Sequence, residues 1–80
     1  MKLSYDPRYN IAYIQLREKI TDIETIRISD ELNIDLSPDG KIYGIELLNA
    51  NEQLKIKEGG EFILTDESTQ KTIKLPITVG

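Results

Sequence analysis

Apolar residues recur at every second position along most of the chain. Leu3 and Tyr5 begin the pattern, and Ala12, Ile14 and Leu16 continue it. Ile26 and Ile28 follow, then Leu32, Ile34 and Leu36, then Tyr43, Ile45 and Leu47, and at the end Ile73, Leu75, Ile77 and Val79. Successive strand side chains point to opposite faces, so each run predicts a strand with one face on a core and the other in water. Isoleucine, frequent here, is stiff at its first torsion and suits a pleated surface. Turn residues separate the runs at Asp6–Asn10, Ser29-Asp30, Ser37–Gly40, Gly59-Gly60 and Asp66–Thr69. The intervals are too short for crossover helices, so the strands must run antiparallel.

One segment breaks the alternation. Leu48 to Leu54 carries two asparagines suited to a helix cap and predicts a helix of two turns at most. Alternatively, Gln53 to Lys57 is a strand entering a two-residue Gly59-Gly60 hairpin, with Glu61 to Thr65 answering it. Pro76 cannot donate to a ladder, which assigns the last strand to a sheet edge. The expected fold class is mainly β, with a β-rich α+β fold as the alternative. It is a small antiparallel meander of hairpins with at most one short helix near residues 49–54. Residues 1–80 are expected to form a single domain, with hairpins over 1–50 and a C-terminal hairpin and edge strand over 51–80. Any seam falls between Asn49 and Glu52.

Two registers can be derived. A loop over Pro7 to Asn10 sets Leu3 opposite Ile14 and Tyr5 opposite Ala12. Ser37-Pro38-Asp39-Gly40 has the composition of a type I turn. Taken as a four-residue loop, it sets Leu36 opposite Lys41, Ile34 opposite Tyr43 and Leu32 opposite Ile45. On the other face it opposes Glu31 to Glu46, Asn33 to Gly44 and Asp35 to Ile42.

Composition narrows the chemistry. The chain has no cysteine and no histidine, which removes thiolate and imidazole metal sites, cysteine nucleophiles and histidine-based triads. No cofactor, bound metal or catalytic residue is expected. The formal charge is −4, and lysines and arginines are scattered among carboxylates, so no nucleic-acid partner is expected. Lys55, Lys57, Lys71 and Lys74 read as solvated or edge-protecting residues. No run reaches the ~18 apolar residues of a membrane span, and the first residues do not form a secretory signal. A cytoplasmic location is the expectation.

Three stretches carry a family resemblance: Met1-Lys2-Leu3-Ser4-Tyr5-Asp6, Ala12-Tyr13-Ile14-Gln15-Leu16, and chiefly Asp39-Gly40-Lys41-Ile42-Tyr43-Gly44-Ile45-Glu46-Leu47-Leu48-Asn49-Ala50. Through them, residues 1–50 resemble the YuzE-like family of small bacterial proteins of unknown function. The resemblance implies no assigned activity and carries over no catalytic residue. Some members stand beside toxin-like genes, which implies an antitoxin-type or partner-binding role. Residues 53–80 lie outside the resemblance.

Two constellations remain as candidate sites. Ile11, Tyr13 and Ile42 form an apolar strip on what should be the wet face, and such strips mark contacts. A chain this small also gains little from its own core, so a homodimer, or another protein partner, is the expectation. The alternative is a carboxylate site of Glu31, Asp35 and Glu46, with Arg17 or Arg27 as shielding cations. Close carboxylates raise one another's pKa and can serve acid–base or metal-dependent catalysis. A small-ligand-binding module with its pocket between curled sheet halves is the third reading.

Overall fold

The computed structural model describes residues 1–18 and 21–77. Val79, the last residue of the alternating pattern, lies outside the described residues. The order of elements is β1 (Lys2–Asp6), β2 (Ile11–Gln15), β3 (Glu24–Ser29), β4 (Leu32–Leu36), β5 (Ile42–Leu48), α1 (Ala50–Gln53), a 3-10 turn (Ile56–Glu58), β6 (Glu61–Asp66) and β7 (Lys71–Pro76). β1 to β5 form an antiparallel sheet in the order β1-β2-β5-β4-β3, and β6 and β7 form a separate two-stranded sheet. Among the described residues the protein is mainly β with one short α-helix. It divides into two compact units between Ala50 and Asn51.

The first hairpin has the register its sequence predicts, with Leu3 opposite Ile14 and Tyr5 opposite Ala12. Asp6 sets the turn. Its Oδ1 accepts a hydrogen bond from the Arg8 backbone N–H at 2.9 Å, and Asn10 closes the loop in the left-handed region at φ 55°. The β6–β7 turn repeats this design: Asp66 Oδ1 accepts from the Ser68 N–H at 2.9 Å, and Gln70 closes at φ 60°. Hydrogen bonds from the Arg8 side chain and from the Ser68 hydroxyl hold the two carboxyls below the ordinary aspartate range.

The second derived register is corrected by two residues. Leu32 faces Leu47, Ile34 faces Ile45 and Asp35 faces Gly44, while Leu36 faces Ile42. Two single-residue steps account for this. The Ser37 N–H donates to the Lys41 carbonyl at 2.8 Å, so the pairing runs one residue beyond β4 and the loop is only Pro38 to Gly40. Gly40 takes φ 83°, which its missing side chain permits. A β-bulge then leaves Tyr43 as the extra residue between Ile42 and Gly44. Each step alone would turn β5 over; together they restore its facing beyond the bulge.

Opposed residues share a face, so the register defines two rows on one side of the larger sheet. One is Leu3, Ile14, Ile45, Ile34 and Ile26; the other is Tyr5, Ala12, Leu47 and Leu32. Among the described residues the buried apolar side chains are Ala12, Tyr43, Ala50 and Ile56, and no large side chain is fully sequestered. Ile14, Ile34, Ile45, Leu32 and Leu47 are half-buried, while Leu3 (46%), Ile26 (37%) and Ile28 (55%) are exposed at the rim.

The segment after β5 forms the short helix near residues 49–54. The alternative, Gln53–Lys57 as a strand into a Gly59-Gly60 hairpin, is overturned: Gln53 ends α1, Leu54 and Lys55 form a turn, and Ile56 and Lys57 lie in the 3-10 turn. Gly59 ends that turn at φ 75°, and the Gly60 N–H returns to the Lys55 carbonyl at 2.8 Å. The glycines terminate a helical turn because the chain must reverse there under the carbonyls of Leu54 and Lys55, leaving no room for a Cβ at Gly60.

Candidate functional site

The opposite face of the five-stranded sheet is polar, and it collects most of the sequence-derived candidates. Its rows are Ser4, Tyr13, Glu46, Asn33 and Arg27, then Lys2, Gln15, Gly44, Asp35 and Thr25. Gly44 shapes the face. A Cβ there would lie 2.7 Å from Tyr13 Cε2, and closer still to Cζ and the hydroxyl. With glycine in place, the Tyr13 ring lies across β5 and its hydroxyl donates to Asp35 Oδ2 at 2.6 Å on β4. Thr25 on β3 donates to Asp35 Oδ1 at 2.6 Å. One carboxylate on β4 thus ties β3 to the β2 ring that crosses β5. The Tyr43 ring lies 6.4 Å from that of Tyr13 at a tilt of 47°.

The other two carboxylates have different neighbours. Glu46 Oε1 accepts from Asn33 Nδ2 at 2.8 Å. Glu31 Oε2 accepts from Asn49 Nδ2 at 3.1 Å, and Asn49 Oδ1 in turn accepts from Asn10 Nδ2 at 3.3 Å. The expected Glu31–Glu46 opposition does not form, because the two-residue correction places Asn33 opposite Glu46. The expected shielding by Arg17 or Arg27 is also replaced: Arg17 lies 3.8 Å from Asp39, and Arg27 pairs with Asp30. Glu31, Asp35 and Glu46 therefore each meet a neutral amide or hydroxyl donor. Among the described residues no group of three or more acidic side chains is placed to hold a metal ion.

Ile11 and Tyr13 alternate onto the same face of β2, but Ile42 does not join them in one strip. Ile11 faces Leu48 at one end of the β2–β5 ladder. The bulge sets Ile42 opposite Leu36, whose alternation belongs with Ile34 and Leu32. Tyr13 lies between them, its hydroxyl committed to Asp35. Sequence reasoning missed Gly44, Thr25, Asn33 and Asn49. A glycine inside an otherwise regular strand was the available signal, since it marks close approach by another group.

Burial pushes the Tyr13 phenol well above its ordinary pKa of 10.0, and the adjoining Asp35 carboxylate, which accepts its proton, adds to the shift. A raised phenol pKa stabilises the fold below about pH 10, and that contribution is lost as pH climbs, because the unfolded chain releases its proton first. Absorbance titration of the wild type is expected to show a tyrosine ionising above the ordinary range that is missing from Tyr13→Phe. Urea denaturation above pH 10 is expected to show a shallower loss of stability in that variant. An unchanged titration curve would exclude the assignment.

These features define a small antiparallel sheet protein, hydrogen-bonded across one face and aliphatic on the other. The chain belongs to the family described as Protein of unknown function (DUF2283), whose model matches residues 2–51. The match spans the five-stranded sheet; β6 and β7 lie beyond it. No curated protein and no solved structure matches the chain. No described helix is long and apolar enough to cross a membrane.

Proposed function

We propose that this is a non-enzymatic, self-associating domain whose five-stranded sheet docks its aliphatic face on the same face of a second copy. The observation that supports the reading is that face: two rows of Leu, Ile and Tyr side chains around a buried Ala12, half-buried at the centre and open at the rim, on a unit whose described residues include no fully buried large side chain. Five strands ~4.8 Å apart, each about 17 Å long, give a face of roughly 400 Å² in projection. That is the size at which apolar patches on small proteins are commonly functional. A second copy is the complementary partner, because its rows are equally aliphatic and two such sheets can pack as a sandwich ~10 Å apart. The polar face argues against catalysis, since its carboxylates serve as acceptors for amides and hydroxyls within the sheet.

Leu3 and Ile26 offer the cleanest test, because both are already exposed and charging them costs the monomer little. Sedimentation equilibrium at high micromolar concentration is expected to show self-association of the wild type and a clearly lower average mass for the folded double variant Leu3→Glu, Ile26→Glu; equal masses for the two contradict the face contact. A wild type that stays monomeric under those conditions contradicts the proposal.

A further inference from the structure

We propose a second self-contact, on a different surface: the outer edge of β6 pairs antiparallel with the same edge of a second copy, centred on Ile63, to make a four-stranded sheet in the order β7-β6-β6-β7. It goes beyond the face contact and involves none of its residues.

Only β7 neighbours β6 in the described structure, and every residue of both strands is exposed. The hydrogen-bond phase of that ladder fixes what the free edge offers. Gly60 accepts from the Ile77 N–H at 2.8 Å, one step beyond the Glu61–Pro76 pair. Antiparallel ladders alternate, so Phe62, Leu64 and Asp66 exchange bonds with Leu75, Ile73 and Lys71. Glu61, Ile63 and Thr65 then turn their N–H and C=O groups away from β7. Pro76 fits this phase: it opposes Glu61, where a missing N–H costs the ladder nothing.

The two outer edges differ. β7 carries Lys71, Lys74 and Pro76, residues that blunt strand addition, whereas β6 has neither lysine nor proline. Its centre, Phe62-Ile63-Leu64, is continuously apolar. A two-stranded sheet alone is marginal, and a unit of this size usually needs a disulfide, a metal or association. The chain has no cysteine and no histidine.

The register follows from charge and facing. With the two-fold axis at Ile63, Ile63 meets Ile63 of the second copy, Glu61 meets Thr65, Phe62 meets Leu64 and Asp66 meets Gly60. Every outward-turned residue then meets an outward-turned residue, and no acid opposes an acid. The apolar face of Phe62, Leu64, Ile73 and Leu75 continues across the junction. A slip of one residue opposes Glu61 to Asp66 and turns the faces over. A slip of two opposes Phe62 to Asp66.

Ile63→Pro tests the edge, because it removes an outward N–H and leaves the β6–β7 bonds in place. Lys74→Pro, which removes the equivalent group from the outer edge of β7, is the control. Both are made in the Leu3→Glu, Ile26→Glu background, so that the face contact and the edge contact succeed or fail separately. Sedimentation velocity is expected to show residual dimerisation in that background, weakened at least tenfold by Ile63→Pro and by Ile63→Lys and unchanged by Lys74→Pro. Amide exchange is expected to slow at Glu61, Ile63 and Thr65 as protein concentration rises, while protection of Phe62 and Leu64 confirms an intact hairpin. Protection independent of concentration would assign the edge to another segment of the same chain and overturn the proposal. So would equal effects of the two prolines, or no protection of the three amides at any concentration.

Discussion

Gly60→Ala is expected to destabilise the protein by about 3 kcal/mol, the upper range for overpacking, because the added methyl group meets backbone. It would stand 2.9 Å from the Lys55 carbonyl oxygen and closer to that of Leu54. Neither atom can swing aside as a side-chain end can. The Lys55 carbonyl is also held where it is, accepting from the N–H groups of Gly60 at 2.8 Å and Glu58 at 3.0 Å. Relief therefore requires opening the turn between α1 and β6, and amide exchange in β6 and β7 should accelerate with the loss of global stability. Urea denaturation supplies the magnitude. A variant as stable as the wild type would show that this turn is misplaced.

Gly44→Ala is expected to cost less, about 2 kcal/mol, and the cost should depend on Tyr13. The obstruction is the end of a tyrosine side chain, which can rotate away if its hydroxyl releases Asp35. The price is then a charge-assisted hydrogen bond and the ring's contacts over β5, not a broken backbone. In a Tyr13→Ala background the same substitution should be neutral or mildly stabilising, since alanine restricts the unfolded chain more than glycine does. Tyr13→Phe should rescue little, because the ring carbons Cζ and Cε2 also occupy the space. A double-mutant cycle with no coupling would remove Tyr13 from its place over Gly44.

Facing was legible in the sequence and register only partly so. The β1–β2 hairpin can be counted out residue by residue because its loop has no bulge beside it. The β4–β5 hairpin cannot, because the Ser37–Lys41 closure and the extra Tyr43 shift the pairing by two while alternation looks the same. Pairing of β2 with β5 joins strands far apart in the chain, and no local pattern announces it. The candidate site inherits these errors. Asp35 is legible in the sequence as a candidate carboxylate, but its partners Tyr13 and Thr25 come from the strands on either side of the β4–β5 pair. Ile42 moves away from Tyr13 for the same reason: one bulge residue separates it from the alternation that grouped them.

The two faces of the larger sheet therefore divide the work. Cross-strand hydrogen bonds tie the polar side together internally, and the proposed function gives the aliphatic side a second copy as its cover. Intermolecular methyl contacts test that division most directly. In an equimolar mixture of isotope-labelled and unlabelled protein at a concentration that gives dimer, isotope-filtered NOE spectra are expected to connect the methyl groups of Ile14, Ile34, Ile45 and Leu47 across the two copies. Dimer samples in which those methyl groups show intramolecular NOEs alone would contradict the account.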